Sequence, residues 1–314
     1  MPNVMNIESL RRTFSPEALW PQSRQWGQHD FTLQGAQRAT SFNQMVERGF
    51  GKARDAEEFS RWAQLINYNG YRVMFESTSK SRAGLLLWMS HPCWPSMVWQ
   101  TYDYYFDPTA AYFGCKKACE PLHIQYNHLT DSIEIVNHSA GNWTALTATV
   151  TVFDLHGKRI CQQKQRLGSQ EDTTIAWQKL STLMPKAPAS GYFLRLTLVD
   201  KRGTVSENTY IMEGKEGYQA LGTLAKAEIS QQMTVSSDGN NSIACLTLHN
   251  KSKVPAPFLR LNLKGEDGEQ ILPAIYSDNY ITLMPGESKT VTISWKRQDA
   301  RGCKDCRVDV TGLF

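Results

Sequence analysis

Between residues 84 and 127 the sequence is crowded with aromatic side chains: Trp88, Trp94, Trp99, Tyr102, Tyr104, Tyr105 and Phe106. A flat aromatic ring with a polar edge suits a pyranose, which has an apolar C–H face and a hydroxyl rim. Trp88 lies in the apolar run Leu85-Leu86-Leu87-Trp88-Met89. Trp94 and Trp99 follow at its carboxyl end, where barrel enzymes assemble their sites. Trp88 and Trp94 are therefore candidate sugar contacts. Trp99 and residues 102–106 fit better as a wall closing the end of a barrel.

Cutting a glycosidic bond takes two opposed carboxyl groups, about 5 Å apart in retaining enzymes. The carboxyl groups near this stretch are Asp30, Glu76, Asp103, Asp107 and Glu120, and no spacing marks a pair among them. Asp103 and Asp107 could share a helical face, but Asp107 before Pro108 is better explained as a helix cap. His29-Asp30 has the residue types of a dyad, yet no Ser or Cys elbow accompanies it. A loop pair bonding to backbone is the expectation there.

The seven cysteines are odd in number and scattered, so no disulfide framework is implied. Cys303-Lys-Asp-Cys306 is a lone CxxC without a second ligand pair, so no metal site and no cofactor are expected. Asn137, Asn142, Asn240 and Asn250 open glycosylation sequons. A net charge of +4 with scattered Lys and Arg gives no footprint for nucleic acid. No apolar run approaches the roughly 18 residues of a membrane span. The opening MPNVMNIESLRRTF lacks the apolar core of a signal peptide.

The elements that must position these residues change character along the chain. The first fifty residues read as irregular, with short helices over 7–14 and at Pro16 and a polar aromatic loop over 25–31. Asp55 with Glu58 is a capping box. The stripe Phe59, Trp62, Ala63, Ile66, Val73 and Met74 then predicts a long helix that fades over 77–82. The run 85–89 does not alternate, which predicts a strand buried on both faces as in a helix-covered parallel sheet. From Leu122 onward apolar residues recur every second position, as in Leu146, Ala148, Val150 and Val152, or Leu259, Leu261 and Leu263. Turns at 154–157, 200–203, 264–268 and 285–287 separate the strands, and 213–217 reads as a linker. This predicts two immunoglobulin-like sandwiches.

Several longer segments carry a resemblance: Arg61-Trp-Ala-Gln-Leu, Tyr71-Arg-Val-Met-Phe-Glu-Ser, Gly84-Leu-Leu-Leu-Trp-Met, Pro92-Cys-Trp and Ala111-Tyr-Phe-Gly-Cys-Lys-Lys-Ala-Cys-Glu-Pro-Leu-His-Ile-Gln-Tyr. Ile271-Leu-Pro-Ala, Ser277-Asp-Asn-Tyr and Leu283-Met-Pro-Gly-Glu extend it. Together they resemble the C-terminal portion of glycoside hydrolase family 2. The similar branch holds exo-β-D-glucosaminidases and mannosylglycoprotein endo-β-mannosidases. The resemblance implies the C-terminal part of a (β/α)8 TIM barrel over 1–121, then immunoglobulin-like β-sandwiches over 122–214 and 215–314. It implies a retaining β-glycosidase acting on glucosamine- or mannose-containing glycans. Both catalytic Glu residues would precede Met1, so none is assigned here and the chain alone is expected to be inactive. Trp88, Trp94, Trp26 and His29 would wall the sugar subsite. The implied partners are carbohydrate and the N-terminal part of the barrel, and the implied compartment is periplasmic or secreted. Residues from about 122 are expected to fold independently, and the first 120 are not. A non-catalytic carbohydrate-binding or structural protein built from the same parts is the alternative, and an interaction protein of tandem immunoglobulin-like domains is a third reading.

Overall fold

The computed structural model describes residues 2–31, 38–77, 84–300 and 305–314. Cys303 of the CxxC lies outside them, as do residues 78–82, over which the long helix was expected to fade. The elements in order are α1 (Ile7–Thr13), α2 (Pro16–Leu19), α3 (Arg24–Gln28), α4 (Arg38–Phe50), α5 (Ala56–Glu76) and α6 (Ala110–Ala118). Then come β1 (Leu122–Asn127), β2 (Ser132–Asn137), β3 (Trp143–Phe153), β4 (Arg159–Ser169), β5 (Thr173–Lys179), α7 (Leu180–Leu183), β6 (Tyr192–Asp200) and β7 (Gly203–Met212). The last are β8 (Ile229–Asp238), β9 (Asn241–Asn250), β10 (Ala256–Gly265), β11 (Ala274–Tyr276), β12 (Ile281–Leu283), β13 (Ser288–Lys296) and β14 (Cys306–Thr311).

The chain divides into two compact units. One comprises Met1–Asn67, Leu87–Phe113 and Ala225–Phe314. It holds the N-terminal helices, the aromatic loop and two sheets, β11-β13-β9-β8 and β12-β10-β14. Its strands bury alternate apolar residues, Leu261 and Leu263 on β10, Leu246 and Leu248 on β9, Val291 and Ile293 on β13. Its helical part has an aromatic core in which Trp26 packs edge-on against Phe31 and Phe59, and Phe50 stacks on Trp62 at 5.2 Å. The N-terminal segment is pinned to the aromatic loop: Asn3 N donates to Val98 O at 3.1 Å and Asn3 Nδ2 to Thr109 Oγ1 at 2.9 Å.

The other unit is Tyr68–Leu86 with Gly114–Leu224. Here the sheets β1-β2-β5 and β4-β3-β6-β7 enclose Ile124, Ile133, Ile135, Leu146, Val150, Leu194 and Leu196. The turn expected at 154–157 is present, with Gly157 N donating to Asp154 O at 3.0 Å. In the same unit a Cβ on Gly114 of α6 would stand 2.4 Å from Tyr68 O of α5. Only glycine permits that approach of two helices.

Several expectations are corrected. The first fifty residues are not irregular, because α4 occupies Arg38–Phe50. Part of the supposed loop 25–31 is the short helix α3, capped by Ser23, whose side chain accepts from Gln25 N. The long helix is capped as expected, Glu58 N donating to Asp55 Oδ1 at 2.8 Å, while the Glu58 carboxylate accepts from Arg54 N. Its apolar stripe fails at the far end: Met74 is 38% exposed, and Tyr68, Tyr71, Arg72 and Glu76 are the buried residues there. The run 85–89 forms no strand. No described strand pairs with it, so its side chains are not sandwiched and Leu86 is 98% exposed. Asp107 caps no helix, since α6 begins at Ala110. Two of the sequon asparagines are buried and shape turns: Asn137 and Asn250 end β2 and β9, each Oδ1 accepting the backbone N–H two residues on at 3.0 Å.

Candidate functional site

Trp94 and His29 come together. Their rings stack with centroids 5.3 Å apart and planes 26° from parallel. The loop carrying Trp94 grips α3 from two sides: His29 Nδ1 bonds the Pro95 carbonyl, and Met97 N donates to His29 O at 2.9 Å. A carbonyl partner requires the proton on Nδ1, which leaves Nε2 as an acceptor in the neutral ring. Beneath His29, Phe14 meets it edge-on at 4.9 Å and stacks on Trp26 at 5.2 Å. The order from inside outward is Trp26, Phe14, His29, Trp94.

Trp26 is 1% exposed, and its Nε1 donates to Leu19 O at 3.2 Å. It presents no face to a ligand. The formation of α3 turns it inward, so it supports the platform and does not belong to it. Trp94 is 41% exposed and available, and Trp88 is 73% exposed on the unpaired run. Further along the loop, His91 and Phe106 stack at 4.4 Å, with Phe106 at a φ of 66°. A left-handed Phe costs energy, and such strain gathers where structure over-determines a conformation.

The conformation there is imposed by Asp103. Its Oδ1 accepts from Tyr105 N at 2.9 Å and Asp107 N at 3.0 Å, and its carbonyl accepts from Phe106 N. Burial and the nearby Asp107 push the Asp103 carboxyl up to about 7. Asp107 Oδ2 is held by Arg260 Nη2 at 3.0 Å, Asn6 Nδ2 at 3.0 Å and Gln270 Nε2 at 3.1 Å. Arg260 also donates to Glu8 Oε2 at 2.8 Å. Burial would raise the Glu8 carboxyl, but the Arg260 guanidinium outweighs it and holds the group below its usual range. Arg260 thus fastens α1, the aromatic loop and β10 together, and pattern reading had assigned it no role.

In the other unit Glu76 and Glu120 flank His123. The Nε2 atom is 3.0 Å from Glu76 Oε1 and Nδ1 is 3.0 Å from Glu120 Oε2. Both nitrogens face carboxylates, so the ring is an imidazolium. Burial opposes that charge, and the paired carboxylates raise the His123 pKa regardless. Tyr210 Oη and Asn208 Nδ2 donate to Glu76 at 2.9 Å, and Ser206 Oγ donates to Glu120 at 2.7 Å. Glu76 and His123 are 1% exposed and Glu120 is 25% exposed, so the cluster is closed around Glu76 and meets solvent at Glu120. Glu76, Asp103, Asp107 and Glu120 are thereby all committed to internal partners. Asp30 is half-buried, and burial raises its pKa.

Residues 208–313 match the family described as the exo-beta-D-glucosaminidase Ig-fold domain. An exo-beta-D-glucosaminidase of Streptomyces avermitilis is 29% identical over 99% of this chain and 38% of its own length. A mannosylglycoprotein endo-beta-mannosidase of Lilium longiflorum is 24% identical over 79% of this chain and 33% of its own. The crystal structure of the Amycolatopsis orientalis exo-chitosanase CsxA superposes with a TM-score of 0.88 at 24% identity, covering 99% of this chain and 40% of that one, and shows the same fold. The chain spans about a third of the length of the curated relatives it matches. Along nearly its whole length the chain is thus similar to the C-terminal part of exo-β-D-glucosaminidases, and over most of it to that of a mannosylglycoprotein endo-β-mannosidase.

Proposed function

We propose that the chain forms the C-terminal part of a retaining β-glycosidase acting on glucosamine- or mannose-containing glycans. Residues 1–121 would complete a (β/α)8 barrel, and 122–214 and 215–314 would be accessory immunoglobulin-like sandwiches. The observation that carries the reading is the match to exo-β-D-glucosaminidases along 99% of the chain, with an exposed Trp94 held on His29. One of the solved relatives is a CsxA complex with PNP-beta-D-glucosamine. Trp94, His29 and Trp88 would line one wall of the sugar subsite. The two opposed carboxylates of a retaining mechanism would come from the rest of the barrel, whose strands would pair with the exposed run 85–89 and bury Leu86. The chain by itself would then bind glycans without turnover.

Titration calorimetry with a β-linked glucosamine oligomer tests this. The expected result is millimolar to micromolar binding, lost in Trp94→Ala with the fold intact. Trp26→Ala should instead cost about 3–5 kcal/mol of stability, the range for a buried Trp cut to Ala. Sustained release of reducing sugar by the chain alone would defeat the reading. The alternative is a non-catalytic carbohydrate-binding or structural protein with tandem immunoglobulin-like domains. Restored hydrolysis on mixing with the N-terminal barrel of a relative would decide against it.

A further inference from the structure

A cavity of about 170 Å³ opens between α1, α5, β10 and the end of β14. Ile7, Phe258 and Leu313, all buried, give it an apolar wall. The polar side chains set into that wall are already engaged. Ser60 Oγ donates to Met5 O at 2.9 Å, Gln64 Nε2 to Val4 O at 2.7 Å and Tyr280 Oη to Asn6 Oδ1 at 3.0 Å. Of the charged groups lining the cavity, Arg260 is held by Glu8 and Asp107, and Lys264 by Asp309 at 2.9 Å. The open side is formed by Arg11, Glu57 and Arg61, whose side chains are 58%, 43% and 30% exposed. Glu57 Oε2 accepts from Arg11 Nη2 at 3.0 Å, whereas its Oε1 stays 3.9 Å from Arg61 Nη1, too far for a hydrogen bond. Arg61 makes no hydrogen bond among the described residues, and its Nε is buried without one. Two guanidinium groups thus share one carboxylate at the mouth, and the fork of Arg61 is open.

A guanidinium fork matches a carboxylate through two parallel N–H···O bonds, and such charge-assisted bonds are about twice as strong as neutral ones. An apolar cavity of about 150 Å³ is large enough to take up benzene. The space behind Arg61 is of that size, and the polar groups in its wall are spent. It offers little to a polyol, whose hydroxyl groups would leave water without finding partners. It suits an apolar body, and the one open fork at the mouth suits one negative charge. We propose that this cavity binds a small monocarboxylate with an apolar body, an aromatic or short-chain acid. The ring or chain lies between α1, α5 and β10, and the carboxylate sits on Arg61. The site shares no residue with the platform of Trp94 and His29. Its ligand touches three elements of the folded unit at once, so binding stabilises that unit by mass action.

The test titrates sodium benzoate, benzyl alcohol and inorganic phosphate into the chain by calorimetry at about pH 7 and fixed ionic strength, where benzoate is ionised. Benzoate should bind about tenfold tighter than benzyl alcohol, the effect of one partly exposed charge-assisted contact, and tighter than phosphate, which has no apolar body. It should also raise the urea midpoint saturably. Arg61→Gln should bring benzoate down to the level of benzyl alcohol and leave the alcohol unchanged, and Arg61→Lys should recover part of the difference. Thr311 is exposed and lines the cavity, so Thr311→Trp should obstruct the site with every charge in place and weaken benzoate and benzyl alcohol alike. Trp94→Ala should bind benzoate as the wild type does. Equal affinity for benzoate and benzyl alcohol, or a preference that survives Arg61→Gln, overturns the role of Arg61. Phosphate binding as tightly as benzoate overturns the apolar body of the ligand. Benzoate binding that survives Thr311→Trp, or is lost in Trp94→Ala, places the ligand elsewhere and overturns the site.

Discussion

Replacing Arg260 by Met is the sharpest probe of how the first unit is built. The guanidinium is only 12% exposed, and it sits 2.8 Å from Glu8 and 3.0 Å from Asp107, itself 8% exposed. Met keeps the length of the side chain and removes the charge. Asp107 would retain Asn6 and Gln270 as donors, and Glu8 would retain Asn262. Breaking a buried pair from one side costs about 3–5 kcal/mol, chiefly through the charge left behind. With a urea m-value of about 2–3 kcal/mol/M, the midpoint should fall by about 1.5 M. Fluorescence follows it, because Trp26, Trp62 and Trp295 are buried in the same unit. Adding Asp107→Asn should return more than half of the loss, since the orphaned charge is then gone. Limited proteolysis should show residues 2–67 and 225–314 becoming susceptible together. A midpoint shift below about 0.5 M, or a 225–314 segment that stays resistant while 2–67 is digested, would refute the idea that these segments form one cooperative body through Arg260.

Further outcomes concern the loop and the helix crossing. Asp103 is raised from 3.8 to about 7, so the folded state holds a proton that the unfolded state releases. Stability should therefore decline as pH rises between these values and level off above about 7. Asp103→Asn should flatten that slope in urea midpoints measured from pH 4.5 to 8. Gly114→Ala forces a methyl against a backbone carbonyl 2.4 Å away, and should cost about 2–3 kcal/mol, visible as a lower thermal midpoint.

What could be read from the residues was what local pattern controls. The capping pair Asp55 and Glu58 marked the start of α5, and period-two alternation marked β3, β6, β10 and β13. The aromatic cue singled out Trp94 and the resemblance singled out His29, and the two rings stack. What escaped depended on partners distant in sequence. Arg260 and Asp107 are 153 positions apart, and no spacing rule joins them. Asp107 before Pro108 has the form of a cap, but a tertiary ion pair outcompetes that local preference. Trp26 looked like a loop aromatic because the polar residues around it hide a helix only five residues long. The run 85–89 misled for the opposite reason. Its composition is that of an interior strand, and a strand is a property of its neighbours as much as of itself.

The link between Arg260, Glu8 and Asp107 also sets how the protein meets salt. Raising ionic strength from about 0.1 M to 1 M shortens the screening length from about 10 Å to 3 Å, so ions in water shield charges that water reaches. The Arg11–Glu57 pair, with side chains 58% and 43% exposed, lies open to that shielding. The Arg260 cluster is far less open to it, with Arg260 12%, Glu8 21% and Asp107 8% exposed. Strong brine should loosen the protein's outer charge pairs well before its internal fastening.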